Sequence, residues 1–314
     1  MLNEQLRKEF PELMHKLASM GQHDVAGIPG MNDIDYCELS LAIHHLASRL
    51  APDLPAPVSR VAEAYHLKGE LREAGKHYKK VLEMDSPQQL SPEERNHVMR
   101  FAPVLHTTPN ECFELMDVVA IHHPEKPLIA YHLFWEDDYN FPDDFEPCDH
   151  EQVWVAYDPL SGQVIQVWAF FHSRVITTRE AAEDANRNNG QANVYVQWGT
   201  HGSLLQGWEK LRDEHNDSRT IMEVMKQSYL KVSKGGRLPD HPLKRWWPKG
   251  FAGEFADYLD FSRALPTSER LRQQDKMVKS RWSNAVLQQL FLLYNFHPKF
   301  DWPDSYEFQQ TEEE

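Results

Sequence analysis

The chain has 314 residues, with 33 Lys and Arg against 48 Asp and Glu, giving a formal net charge of −15. Hydrophobic residues make up 41% and aromatics 11%, which sustains a globular core and excludes the fibrous and disordered classes. The acidic balance repels phosphate backbones, so nucleic acid is not an expected partner. Cys37, Cys112 and Cys148 are odd in number and far apart, which argues against a disulfide framework and against a cysteine-based zinc site. The opening residues, Met1 to Glu9, are charged and lack the apolar core of a leader. No stretch approaches the roughly 18 apolar residues that a membrane span needs. The expectation is a cytoplasmic protein without a membrane partner.

In chain order, the first 110 residues read as helices. Leu2, Leu6, Phe10, Leu13, Met14 and Leu17 recur at helical spacing, as do Leu39, Leu41, Ile43, Leu46 and Leu50. Over residues 55–88, Val58, Val61, Ala62, Tyr65, Gly69, Ala74, Tyr78 and Val81 fall where two helices turn at a glycine and pack through a small residue and an aromatic. This stretch resembles one tetratricopeptide repeat, which implies a possible protein-binding groove bearing Tyr65, His66 and Lys68. An ordinary helical hairpin would use the same packing positions. Ser91, before Pro92-Glu93-Glu94, is a helix N-cap.

Near residue 110 the texture changes. Segments 115–121, 127–135, 152–157, 163–171 and 193–198 are rich in β-branched and aromatic residues and read as strands, with a hairpin turn at Asp158 to Gly162. Their close spacing predicts an antiparallel sheet. Helices are predicted again over Leu204–Leu211, Ile221–Val232 and about Ser283–Phe296, before an acidic tail from Gln309 to Glu314. Between the last two lies a Pro/Gly/Trp stretch, and residues 226–249 carry seven basic groups against Asp240 alone. The predicted fold is α+β: a helical region over 1–110 with the repeat-like hairpin, a β-sandwich-like region over 111–205, and a helical C-terminal region over 206–314 packed on the sheet.

Charge and histidine meet in the middle region. From Lys126 to Arg174 there is no intervening Lys or Arg, and nine carboxylates fall there together with His132, His150 and His172. His150, His172 and His201 each sit at the end of a predicted strand, where side chains can converge on one rim. Neutral imidazoles with carboxylates form the ligand set of divalent zinc, manganese, iron or magnesium.

Asp149-His150-Glu151-Gln152-Val153-Trp154-Val155, Phe171-His172-Ser173-Arg174 and the segment Val194 to Ser203 with its Gly199-Thr200-His201-Gly202 occur in that order. Over about residues 127–205 these words resemble the vacuolar protein sorting 62-like family and, more distantly, the necrosis-inducing proteins. The resemblance implies a β-sandwich whose pocket holds a divalent cation, and it implicates His150, Glu151, His172 and His201. Acidic positions of the family's word are Val153 and Val155 here.

These residues predict a divalent-metal enzyme acting on a small polar substrate. His150, His172 and His201 with Asp149 or Glu151 would hold the metal, and Glu136 or Asp138 would serve as general base. Water activation in a hydrolase is the favoured expectation, and oxygen activation at iron would use a similar set. The alternative expectation is a non-catalytic adaptor that grips a protein partner through the helical region.

Overall fold

In the computed structural model, residues 33–140, 148–213, 219–235 and 242–303 are described. The predicted helix over Leu2–Leu17, the carboxylates Asp143, Asp144 and Glu146, and the C-terminal tail lie outside them. The architecture is α+β. Contacts divide the chain into two compact units, residues 1–89 with 278–314 and residues 90–277. The expected divisions near 110 and 205 both fall inside the second unit.

The first unit is built on α1 (Asp33–Leu50), α2 (Pro55–Leu67) and α3 (Leu71–Met84). Pro57 and the leading Pro55 suit the first turn of α2, where no amide hydrogen is required. The hairpin between α2 and α3 turns at Gly69, whose φ of +75° is open to glycine and strained for other residues. Val58, Ala62, Ala74, Tyr78 and Val81 interlock with Ala285 in one buried cluster. Small Ala74 and large Tyr78 thus occupy the packing roles their types suggest. His66 is buried, facing the Tyr78 hydroxyl at 3.2 Å and Asn295 Oδ1 at 2.7 Å. Burial lowers its pKa to about 4, so it is neutral. His66 therefore points inward rather than lining a partner groove, and Lys68 is engaged with Glu38 and Glu70.

The second unit begins with α4 (Pro92–Phe101), closed by a reciprocal capping box between Ser91 and Glu94. Then come β1 (Val104–Thr107), β2 (Leu115–His122), β3 (Leu128–Trp135), β4 (Asp149–Tyr157), β5 (Val164–Phe171), β6 (Arg174–Thr177), α5 (Arg179–Arg187), β7 (Asn193–Val196) and β8 (Ser203–Leu205). After a small ribbon of β9 (Arg212–Asp213) and β10 (Arg219–Thr220), α6 (Ile221–Val232), α7 (Phe255–Tyr258), β11 (Arg263–Pro266) and α8 (Thr267–Gln274) complete it.

Strands β2 to β6 form an antiparallel meander, while β1 is flanked by β11 and β7, with β8 beyond β7. The β1–β7 pair is parallel, the one departure from an antiparallel arrangement among these named pairs. Both sheets feed one core, in which Val153, Val155 and Phe171 join Leu105, Val194, Leu204 and Leu205. Every residue of β3 is buried, so the strand reads as a nearly continuous apolar run, broken by His132, instead of alternating.

Two predicted helices resolve differently. Leu204 and Leu205 pair with Tyr195 and Val194 as a strand, and only a single 3-10 turn, Trp208–Lys210, follows. Tertiary pairing here overrides a spacing that fits a helix. Around Ser283–Phe296, one α-turn over Ser283–Val286 passes into a π-turn over Leu287–Phe291, and Leu292 is already extended.

Candidate functional site

The site lies where the β7–β8 loop meets the start of β4 and the segment before β2. Gly199 (φ +68°) and His201 (φ +45°) both adopt left-handed backbone, and the His201 amide donates to Gln197 O at 3.0 Å. Histidine is among the few side-chain-bearing types that tolerate this region. The tight loop drives the His201 ring fully inside.

There, Nδ1 lies 2.7 Å from Asp149 Oδ2, and Nε2 lies 3.6 Å from Glu111 Oε1. The first is a hydrogen bond; the second is an ion-pair distance, too long for one. Trp135 stacks flat on the imidazole, 4.3 Å between centroids at 4°, and Phe113 meets it edge-on at 5.7 Å. Register explains the company: Trp135 stands opposite Asp149 across the β3–β4 pair.

Glu111 is locked by the backbone. Its Oε1 accepts the amides of Cys112 (2.8 Å) and Phe113 (3.2 Å), and its Oε2 accepts that of Gly199 (2.9 Å). Burial alone would raise the Glu111 pKa, but His201 and these amides hold it below the usual carboxylate value. Burial alone would lower that of His201, but Asp149 and Glu111 overcome it and raise the pKa to about 10. With no cation bound, this is an imidazolium clamped between two carboxylates.

The four expected metal ligands do not share one site. Asp149 and His201 meet, but His150 follows Asp149 on the strand and so points to the opposite face. There its Nε2 lies 3.0 Å from His132 Nδ1, and Gln152 Nε2 approaches the same nitrogen at 3.0 Å. Burial lowers the His132 pKa to about 3. His172 and Ser173 (φ +45° and +68°) are the two central residues of the β5–β6 hairpin, between the paired Phe171 and Arg174. The ring of His172 faces Gln197 Oε1 at 2.5 Å, and Gln197 Nε2 donates to Ser228 and Tyr258. Among the described residues, no group of three or more His, Cys, Asp or Glu is placed to hold a metal ion.

The expected catalytic carboxylates are also dispersed. Glu136 is exposed and accepts the Glu114 amide. Asp138 accepts the backbone and side-chain amides of Asn140. Glu151 is buried on the Asp149 side of β4. Glu111, by contrast, gave no sequence signal: it lies outside every motif and reaches His201 only through the fold.

Two cavities adjoin the cluster. One, of about 750 Å³, is lined by Cys112, Phe113, Glu136, Trp246, Trp247 and Lys249. The other, of about 290 Å³, is lined in part by Phe113, Trp135, Arg263 and Arg270. Phe113 borders both and packs on Trp247 at 5.4 Å.

No family model, curated protein or solved structure matches this chain.

Proposed function

We propose that the second unit is a divalent-cation-dependent enzyme for a small polar substrate, with the cation held between His201 Nε2 and Glu111. The observation that carries this reading is the His201 Nε2 atom, which is buried, has no hydrogen-bond partner and stands 3.6 Å from Glu111 Oε1. Two ligands each about 2.1 Å from one ion at a tetrahedral angle sit about 3.4 Å apart. Asp149 accepting from Nδ1 supports the same reading, because a carboxylate behind a ligating imidazole fixes its ring and tautomer. The donors that suit a cation are therefore His201 and Glu111, backed by Asp149, rather than the His150, His172, His201 and Asp149 set.

When bound, the ion would act as a Lewis acid or lower the pKa of a coordinated water. The chain's own contribution is to orient and to exclude. Trp135 and Phe113 keep bulk water from the imidazole, and Glu136 on the larger cavity is the carboxylate placed to accept a proton from a substrate there. Among the described residues His201 is the histidine that meets these carboxylates, and a single imidazole with carboxylates supports water activation better than the two-His, one-carboxylate set of oxygen-activating iron. The test is thermal unfolding of chelator-treated protein with added Zn²⁺ or Mn²⁺. A rise in Tm for wild type that is lost in Glu111→Gln is expected; no rise, or an equal rise in the variant, removes the reading.

A second reading concerns the first unit. Leu46 and Leu50, one turn apart on α1, are 49% and 53% exposed, which suits a helix face that meets a protein partner. A partner that binds wild type and Leu46→Asp/Leu50→Asp equally would dismiss this adaptor role.

A further inference from the structure

The smaller cavity has a composition that the cation reading does not use. It is lined by Trp135, Arg263, Arg270, Glu114, Glu269 and Gln273 among others. The indole of Trp135 is 1% exposed, and its Nε1–H has no hydrogen-bond partner.

The charges are unspent as well. Arg270 donates to Leu115 O at 2.9 Å and keeps further N–H groups. Among the described residues, none of Arg263, Arg270, Glu114 and Glu269 is ion-paired with another. Two cations and two anions therefore line one small cavity without neutralising each other. Its volume of about 290 Å³ lies at the lower end for ligand pockets.

A bare anion would be attracted by the arginines and repelled by the glutamates; a bare cation would meet the reverse. A ligand carrying both signs on one small frame satisfies all of them. We propose that this cavity is a binding site for a free amino acid, the carboxylate taken by Arg263 and Arg270, and the ammonium by Glu114 and Glu269 together. Guanidinium groups suit the carboxylate because they donate two parallel hydrogen bonds. Trp135 also stacks on His201, so the ligand would sit one aromatic ring away from the Asp149–His201–Glu111 cluster.

The test uses the 314-residue chain treated with chelator, so that it stands apart from the cation reading. Standard L-amino acids are screened singly by ligand-observed saturation-transfer NMR, with acetate and methylammonium as half-ligands, and hits are titrated by calorimetry. At least one amino acid should bind, and bind more tightly than either half-ligand. Arg263→Gln and Glu269→Gln alter exposed side chains and should each weaken it about tenfold or more, as expected for one charge-assisted hydrogen bond. Absence of binding by every amino acid overturns the proposal. So does binding unchanged in both charge variants, or acetate binding as tightly as the amino acid.

Discussion

At the scale of single residues, the second unit turns on a protonated histidine that water does not reach. His201 is raised to about 10 from an ordinary 6.5, so the folded protein holds a proton that the unfolded chain releases in between. Its stabilising contribution is full below the ordinary value and is lost as pH rises through about 10. Removing the imidazole leaves Asp149 and Glu111 without their shared partner. His201→Ala should therefore cost about 3–5 kcal/mol in urea unfolding of cation-free protein near neutrality. The gap between wild type and variant should narrow toward pH 10, and a gap that stays constant across that range would contradict the assignment of charge. The sequence made Asp149 and His201 conspicuous through the words around them. It was silent on Glu111, because that carboxylate is recruited by three backbone amides that only the folded loop supplies.

At the scale of elements, the same loop and the β5–β6 hairpin depend on backbone that most residues avoid. Ser173 sits at φ +68°, a region that costs an L-residue roughly 1–2 kcal/mol. Ser173→Gly should stabilise the protein by about 0.5–1 kcal/mol after glycine's own entropy loss, read as a higher midpoint in urea. Gly202 is the converse case. A Cβ there would meet Phe171 Cδ2 at 2.9 Å and Gln197 Oε1 at 3.0 Å, so Gly202→Ala should cost about 1–3 kcal/mol. Elements whose pattern is local were legible: the five aromatic and β-branched segments are β2, β3, β4, β5 and β7, and the turn at Gly69 joins two helices. Short strands such as β1, β6, β8 and β11 were not, because three or four residues carry too little period, and their pairing is decided by distant partners. His172 was conspicuous as a strand-end residue, yet its place in a two-residue turn without Gly or Asn had no sequence marker.

At the scale of the whole molecule, several carboxylates of the Lys- and Arg-free segment are taken inside or into local hydrogen bonds. Asp149 is paired with His201, Glu151 and Asp137 are buried, and Asp158 binds the Leu160 amide and Ser161 hydroxyl of its own turn. The first unit has its own buried acid. Asp301 is raised to about 7, by burial first and then by Glu63 nearby. A carboxyl raised in this way holds a proton in the folded state, so stability falls as pH rises from about 3.8 through about 7. Asp301→Asn should flatten that slope in thermal unfolding, and an unchanged slope would place the coupling elsewhere.

The central claim is that His201 and Glu111 share a divalent cation, and calorimetric titration of chelator-treated protein with Zn²⁺ and Mn²⁺ above neutral pH tests it most directly. The account predicts one site per chain for at least one of these ions, release of a proton as the ion replaces it on Nε2, and loss of the site in both His201→Gln and Glu111→Gln. Wild-type protein that takes up neither ion stoichiometrically, or variants that bind as wild type does, would contradict it.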